Sequence, residues 1–220
     1  YSATANVVMH TGARPVFVDI NENNFLISAA AIEKAITPRT KAIVPVHLFG
    51  QCANMQRVME IANEHNLFVI EDTAQAIGSE YTMQNGIVMK AGTIGTIGTT
   101  SFFPSKNLGC MGDGGAIFTD DAELATTLRS VRVHGQGSDK YDNVRLGLTA
   151  RLDTVQAAIL IEKLKIFEDE IEKRNAVARR FGNLGYADAA ALLTAARAGD
   201  AVALGITDEL CRVMGRTLYN

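Results

Sequence analysis

Near-continuous apolar runs of strand length alternate along this chain with segments of helical period, and few folds accommodate that pattern. The apolar runs are PVFVDI (15–20), KAIVPVHLF (41–49), LFVIEDTAQ (67–75), GTTSFFPS (98–105) and GAIFTD (115–120). A strand with one wet face alternates apolar and polar residues, whereas unbroken apolar runs suit a sheet covered on both faces. Between them, SAAAIEKAI (28–36), ANMQRVMEIANEHN (53–66) and DAELATTLRSVRVHG (121–135) carry helical spacing, and the last two end at an Asn or Gly stop. Strand and helix in alternation predict an α/β fold, a mostly parallel sheet with helices on both faces. Residues 151–181 then read as one long amphipathic helix or a broken pair, with Val155, Ile159, Leu160, Leu164 and Phe167 on its apolar side.

Composition removes several classes of function. A formal net charge of -3 over 220 residues gives no reason to expect nucleic acid or an acidic membrane surface as partner. Cys52, Cys110 and Cys211 are too dispersed for a zinc site or a disulfide framework, and they read as the reduced thiols of a cytoplasmic protein. No basic-then-apolar leader and no span of membrane length is expected. The sequence holds no GxxxxGK[ST], and GTIGTIG departs from the dinucleotide-binding pattern.

In open α/β sheets ligands bind beyond the carboxyl ends of the strands. Asp72 closes the run LFVIED, Gln75 lies three residues on, and Lys106 follows GTTSFFPS. An acid at the end of an apolar strand needs a partner, because an unpaired buried carboxylate is costly. A ligand cation would serve, but so would the backbone of a following helix, which Asp commonly caps. Lys106 is either a solvated surface charge or an amine pointing into a cleft. His47 and His134 read as packing or loop histidines, and Ser101 as a strand-end hydroxyl.

The ordered segments VPVHLFGQCANMQRVMEIANEHNLFVIEDTAQAIGSEY, TSFFPSKNLGCMGDGGAIFTDD, RVHGQG and RLDTVQAAIL resemble the pyridoxal-phosphate-dependent sugar nucleotide aminotransferases of the DegT family over about residues 1–181. The resemblance implies a large cofactor-binding domain of the aspartate aminotransferase type. It implies that Lys106 forms the covalent link to the aldehyde of pyridoxal 5'-phosphate and later shuttles a proton. It further implies that Asp72 pairs with the pyridine nitrogen, Gln75 hydrogen-bonds the phenolic oxygen and Ser101 binds the phosphate. Tyr1 falls where the family stacks an aromatic ring on the pyridine, and the glycines of GCMGDGG would let the chain turn tightly beside the cofactor. The implied reaction moves an amino group, with glutamate as donor, to a nucleotide-linked keto sugar for cell-surface polysaccharide, in a homodimer whose sites lie at the interface. A dehydratase branch of the family has His in place of the lysine, which Lys106 argues against.

Two departures qualify that expectation. Thr149 stands before Ala150 and Arg151, where the family carries an Asn that reaches the phosphate of the neighbouring subunit's site. The family also has an upstream Gly-Thr turn that holds the phosphate on backbone N–H groups, and it continues into a smaller α/β domain after the position of Phe181. Residues 1–181 are therefore expected to be a truncated large domain. Residues 182–220 form an Ala-rich helical tail of different character, with AGD (198–200) as a turn, Asp200 as a cap, and a resemblance to a helical segment of sugar kinases of the repressor and kinase group. A non-catalytic α/β scaffold of the same lineage is the alternative to an active aminotransferase.

Overall fold

A computed structural model describes residues 1–139, 141–183, 198–199 and 201. The chain divides into two compact units, Tyr1–Ile159 and Leu160–Asn220.

The first unit is built on a sheet of four strands in the order β1-β2-β5-β6, where β1 is Ala42–Ile43, β2 Phe68–Asp72, β5 Ile97–Ser101 and β6 Gly115–Phe118. β1, β2 and β5 run parallel, while β6 pairs antiparallel with β5. The α/β class and the mostly parallel sheet are as the sequence implies. β2 sits between two neighbours, with Asp72 opposite Thr99 of β5. Val69 and Glu71 point to one buried face of β2, and Val69 joins a core of Ile32, Ile43, Val58, Ile61 and Ala62.

Helix α3 (Met55–Glu64) supplies much of that core by burying Met55, Val58, Ile61 and Ala62, a spacing that keeps one helical stripe against the sheet. Asn54 caps it by accepting from Arg57 N–H at 3.2 Å. At its other end Asn66 adopts φ 53°, and Leu67 N–H reaches back to Ala62 O at 2.8 Å. That left-handed residue and returning bond form a Schellman stop, the role expected of the Asn. Helix α4 (Ala122–Val131) starts on Asp121, whose Oδ1 accepts from Glu123 and Leu124 N–H, both at 2.9 Å. It ends before the expected Gly135, because His134 and Gly135 both have positive φ. Helix α2 (Ala29–Ala35) is capped by Ser28.

Several expectations change. PVFVDI (15–20) forms no strand: its one ladder contact is the bridge Ile20–Ile27, and Val16 and Phe17 are exposed. An apolar run becomes a strand only where a neighbour offers N–H and C=O groups. KAIVPVHLF yields two strand residues, because Pro45 has no N–H to give the ladder. The chain nevertheless stays beside β2, with Asp72 N–H to Pro45 O at 2.9 Å and His47 N–H to Asp72 O at 3.0 Å. Exposed Phe68 and Ile117 leave parts of the sheet uncovered by the described residues. Helix α1 (Ala3–His10) and the hairpin of β3 (Glu80–Thr82) and β4 (Val88–Lys90) had no counterpart in the pattern.

The helical stretch at 151–181 is a broken pair, α5 (Thr154–Leu164) and α6 (Phe167–Asn183). The break is marked by i to i+3 bonds from Lys165 and Ile166 N–H. Leu160 and Phe167 are buried, but Val155 and Leu164, expected on the same apolar side, are exposed. Within the second unit Lys173 pairs with Asp169 and Arg174 with Glu170, one helical turn apart. Ala198 and Gly199 form a turn with Gly199 at φ 88°, while Asp200 and the helices expected within 184–220 lie outside the described residues.

Candidate active site

The ends of β2 and β5 bring four of the six sequence-selected residues to one edge of the sheet. Asp72 is the last residue of β2 and is half-buried. Its Oδ1 accepts from Ala74 N–H at 3.1 Å, and its Oδ2 accepts from the Thr4 hydroxyl at 2.7 Å. The capping alternative is thus realised in part, though the capped segment is a turn at 74–78 and not a helix. Gln75 lies in that turn with its Oε1 accepting from Phe49 N–H at 2.9 Å, so the amide's NH2 end is the one left to donate.

Ser101 ends β5, half-buried, with its hydroxyl oxygen accepting from Phe103 N–H at 3.2 Å. Lys106 stands in the loop that follows. That loop is closed at its base by Cys110 N–H to Phe102 O at 2.7 Å and at its middle by Lys106 N–H to Phe103 O at 2.9 Å. Asn107 ties the loop to the turn after β2 through Nδ2 to Ile77 O at 2.8 Å. Asn107 Oδ1 is buried and has no hydrogen-bond partner among the described residues, and Lys106 Nζ has none among them either.

The glycines around the loop are required by close approach, not by left-handed backbone. A Cβ on Gly109 would lie 2.5 Å from Pro104 O and 2.7 Å from Phe103 O, and one on Gly115 would lie 2.7 Å from Thr100 O. No side chain fits there without moving the backbone that carries Lys106.

The other two residues stand differently. Tyr1 is fully exposed ahead of α1. Thr149 bridges Val133, and its hydroxyl lies 3.0 Å from Nε2 of His134, a loop histidine at φ 57°. No hydrogen bond among the described residues joins Tyr1 or Thr149 to the strand-end group.

Behind the site lies a buried charge that the sequence pattern did not single out. Glu71 is fully buried, and its carboxylate accepts from His47 Nε2 at 2.9 Å, Gly92 N–H at 2.9 Å, Ile94 N–H at 2.7 Å and Gly95 N–H at 2.6 Å. His47 Nδ1 accepts from Ala53 N–H at 3.2 Å, which leaves the proton on Nε2 and makes the imidazole neutral. Burial pushes the Glu71 carboxyl up, but the bonds from His47, Gly95, Gly92 and Ile94 together outweigh it and hold the group below the ordinary carboxylate range. His47 is therefore a packing histidine with a defined tautomer. Burial, and secondarily the Glu71 charge, pushes the Cys52 thiol up to about 11.

The donor set suits a phosphorylated pyridine aldehyde such as pyridoxal phosphate. An ionised carboxylate accepts about four hydrogen bonds, so Asp72 has capacity left for a ring N–H after Thr4 and Ala74. Lys106 offers an unpartnered amine, Gln75 an amide donor and Ser101 a hydroxyl.

Residues 1–199 match the model of the DegT/DnrJ/EryC1/StrS aminotransferase family. The chain belongs to that family. It is 49% identical over 181 residues to the UDP-2-acetamido-2-deoxy-3-oxo-D-glucuronate aminotransferase of Pseudomonas aeruginosa, a match covering 82% of this chain and 49% of that relative. Its fold matches the crystal structure of a DegT DnrJ EryC1 StrS aminotransferase from Brucella abortus with a TM-score of 0.75 at 49% identity, covering 83% of this chain and 50% of that one. It also matches ntda from Bacillus subtilis, solved with the cofactor PMP bound, with a TM-score of 0.69 at 36% identity, covering 84% and 43% of the two chains. The chain spans about half the length of the curated relatives it matches.

Among the described residues, no helix is long and apolar enough to cross a membrane, and no cluster of His, Cys, Asp or Glu could hold a metal ion. Cys52 and Cys110 are free thiols.

Proposed function

We propose that the chain carries the cofactor half of a pyridoxal-phosphate-dependent aminotransferase that moves an amino group from an amino acid, glutamate, to a nucleotide-linked keto sugar destined for cell-surface polysaccharide. The observation that carries this reading is the convergence of Asp72, Gln75, Ser101 and Lys106 at the carboxyl ends of two adjacent parallel strands. The substrate class is supported by the similarity to an aminotransferase named for a UDP-linked 3-oxo sugar. Pyridoxal phosphate supplies an aldehyde to receive nitrogen and a ring that withdraws electrons from the carbon bearing it.

The side chains divide the remaining work. Lys106 Nζ is the amine that would hold the cofactor through its aldehyde, with loss of water, and that would serve as the proton-carrying group at the reacting carbon when free. Asp72 accepts the ring N–H and keeps the nitrogen protonated. Gln75 donates its amide to the phenolic oxygen, and Ser101 donates its hydroxyl to the phosphate. Tyr1 covers the ring face, and Thr149 contributes its hydroxyl to the phosphate of a partner subunit's site in a cytoplasmic homodimer. Residues 1–181 are part of the large domain on this reading, and 182–220 a segment of different sequence character that follows it.

The test is a visible absorption spectrum of the chain mixed with pyridoxal phosphate, alongside Lys106→Ala. A new band present in the first and lost in the second supports the reading. Identical spectra would make the chain a non-catalytic scaffold of its lineage.

A further inference from the structure

We infer that Thr4 is a positioning residue that acts through Asp72 on the ring nitrogen of the cofactor, an inference that rests on the cofactor reading above. Helix α1 buries none of its side chains, so packing alone does not explain where it sits. Among the described residues, one side-chain hydrogen bond leaves that helix, from Thr4 Oγ1 to Asp72 Oδ2 at 2.7 Å across 68 positions of sequence. A hydroxyl to an ionised carboxylate at that length is a charge-assisted bond, about twice as strong as a neutral one.

The consequence is a carboxylate fixed at both oxygens. Ala74 N–H holds Oδ1, Thr4 holds Oδ2, and the plane of the group is set before any ligand arrives. The lone pairs that remain point in fixed directions, so a ring N–H meets an acceptor that needs no reorientation. Removing the Thr4 hydroxyl frees the Oδ2 side of the carboxylate without touching the ligand itself. Serine keeps the hydroxyl, while valine keeps the shape of threonine without it.

The experiment measures binding of two probes by equilibrium dialysis to wild type, Thr4→Ser and Thr4→Val. One probe is pyridoxal phosphate, and the other is its carbocyclic analogue with CH in place of the ring nitrogen. Thr4→Val should lose about tenfold in affinity for pyridoxal phosphate, the scale of a hydrogen bond to a charged group, and Thr4→Ser should restore it. Neither variant should differ from wild type for the analogue, which has no ring nitrogen for Asp72 to hold. Equal losses for both probes would mean that Thr4 merely holds the fold, and unchanged binding of pyridoxal phosphate to Thr4→Val would also overturn the inference. Thr4→Ala supplies a second hydroxyl-free variant should the valine not fold. If wild type binds neither probe, the cofactor reading fails and the inference with it. If wild type binds through Lys106 and Thr4→Val binds equally well, the inference alone fails.

Discussion

Replacing Glu71 by Gln tests how the end of β2 is held to the segment after β1 and to the loop that leads into β5. The substitution preserves shape but removes charge and turns one acceptor into a donor. Oε1 takes Ile94 and Gly95 N–H, while Oε2 takes His47 Nε2 and Gly92 N–H. With oxygen kept toward Ile94 and Gly95, the new NH2 faces two donors that have nothing else to bond. His47 cannot repair this by moving its proton to Nδ1, because that atom accepts from Ala53 N–H. Two orphaned buried donors at about 1–3 kcal/mol each give an expected loss of about 2–6 kcal/mol. That is a large share of the roughly 5–15 kcal/mol by which native domains are stable. Urea unfolding followed by circular dichroism should show a lower midpoint with an unchanged slope. A loss below about 1 kcal/mol would refute the view that the network is fully committed.

The same carboxylate fixes a pH dependence. Its folded pKa lies below its ordinary value of 4.5, so its contribution is present above that pH and disappears as pH falls toward the folded value. Acid unfolding of wild type should therefore steepen below about pH 4.5, and Glu71→Gln should flatten that limb, which parallel acid titrations by fluorescence would check. Cys52, pushed up to about 11, should react with iodoacetamide at pH 8 far more slowly than a free thiol, and faster in Glu71→Gln, where the second cause of its shift is gone. Rapid labelling of native wild type would contradict the burial assigned to it. Gly109→Ala places a methyl 2.5 Å from Pro104 O and should cost about 1–3 kcal/mol, with weakened cofactor binding, because the loop carrying Lys106 has to move. An unchanged thermal midpoint would show that the loop yields freely.

Some of this was legible in the residues alone. The apolar run LFVIED announced a central strand, and Asn66 announced the end of α3, because both signals are local chemistry. Asp72, Gln75 and Lys106 could be gathered since the carboxyl ends of parallel strands lie together, whereas Ser101 was named only through the family resemblance. PVFVDI misled because strand formation needs a partner that sequence does not display. Glu71 was hidden for a related reason: its donors come from residues 92–95 and from His47, all distant in sequence and brought close only by folding. The one available signal was an acid that follows the apolar run LFVI directly, two positions after Val69 and so on the same strand face. Thr4 carried no signal, since its single long-range bond spans 68 positions.

The central claim is that Lys106 is the residue that bonds a cofactor aldehyde. Treating the chain with pyridoxal phosphate, reducing with borohydride, and mapping the modified peptide by mass spectrometry addresses it directly. The account requires that the label sit on Lys106 in preference to exposed lysines such as Lys90 and Lys165, and that it disappear in Lys106→Ala. Label spread over surface lysines with none favoured at Lys106 would contradict it.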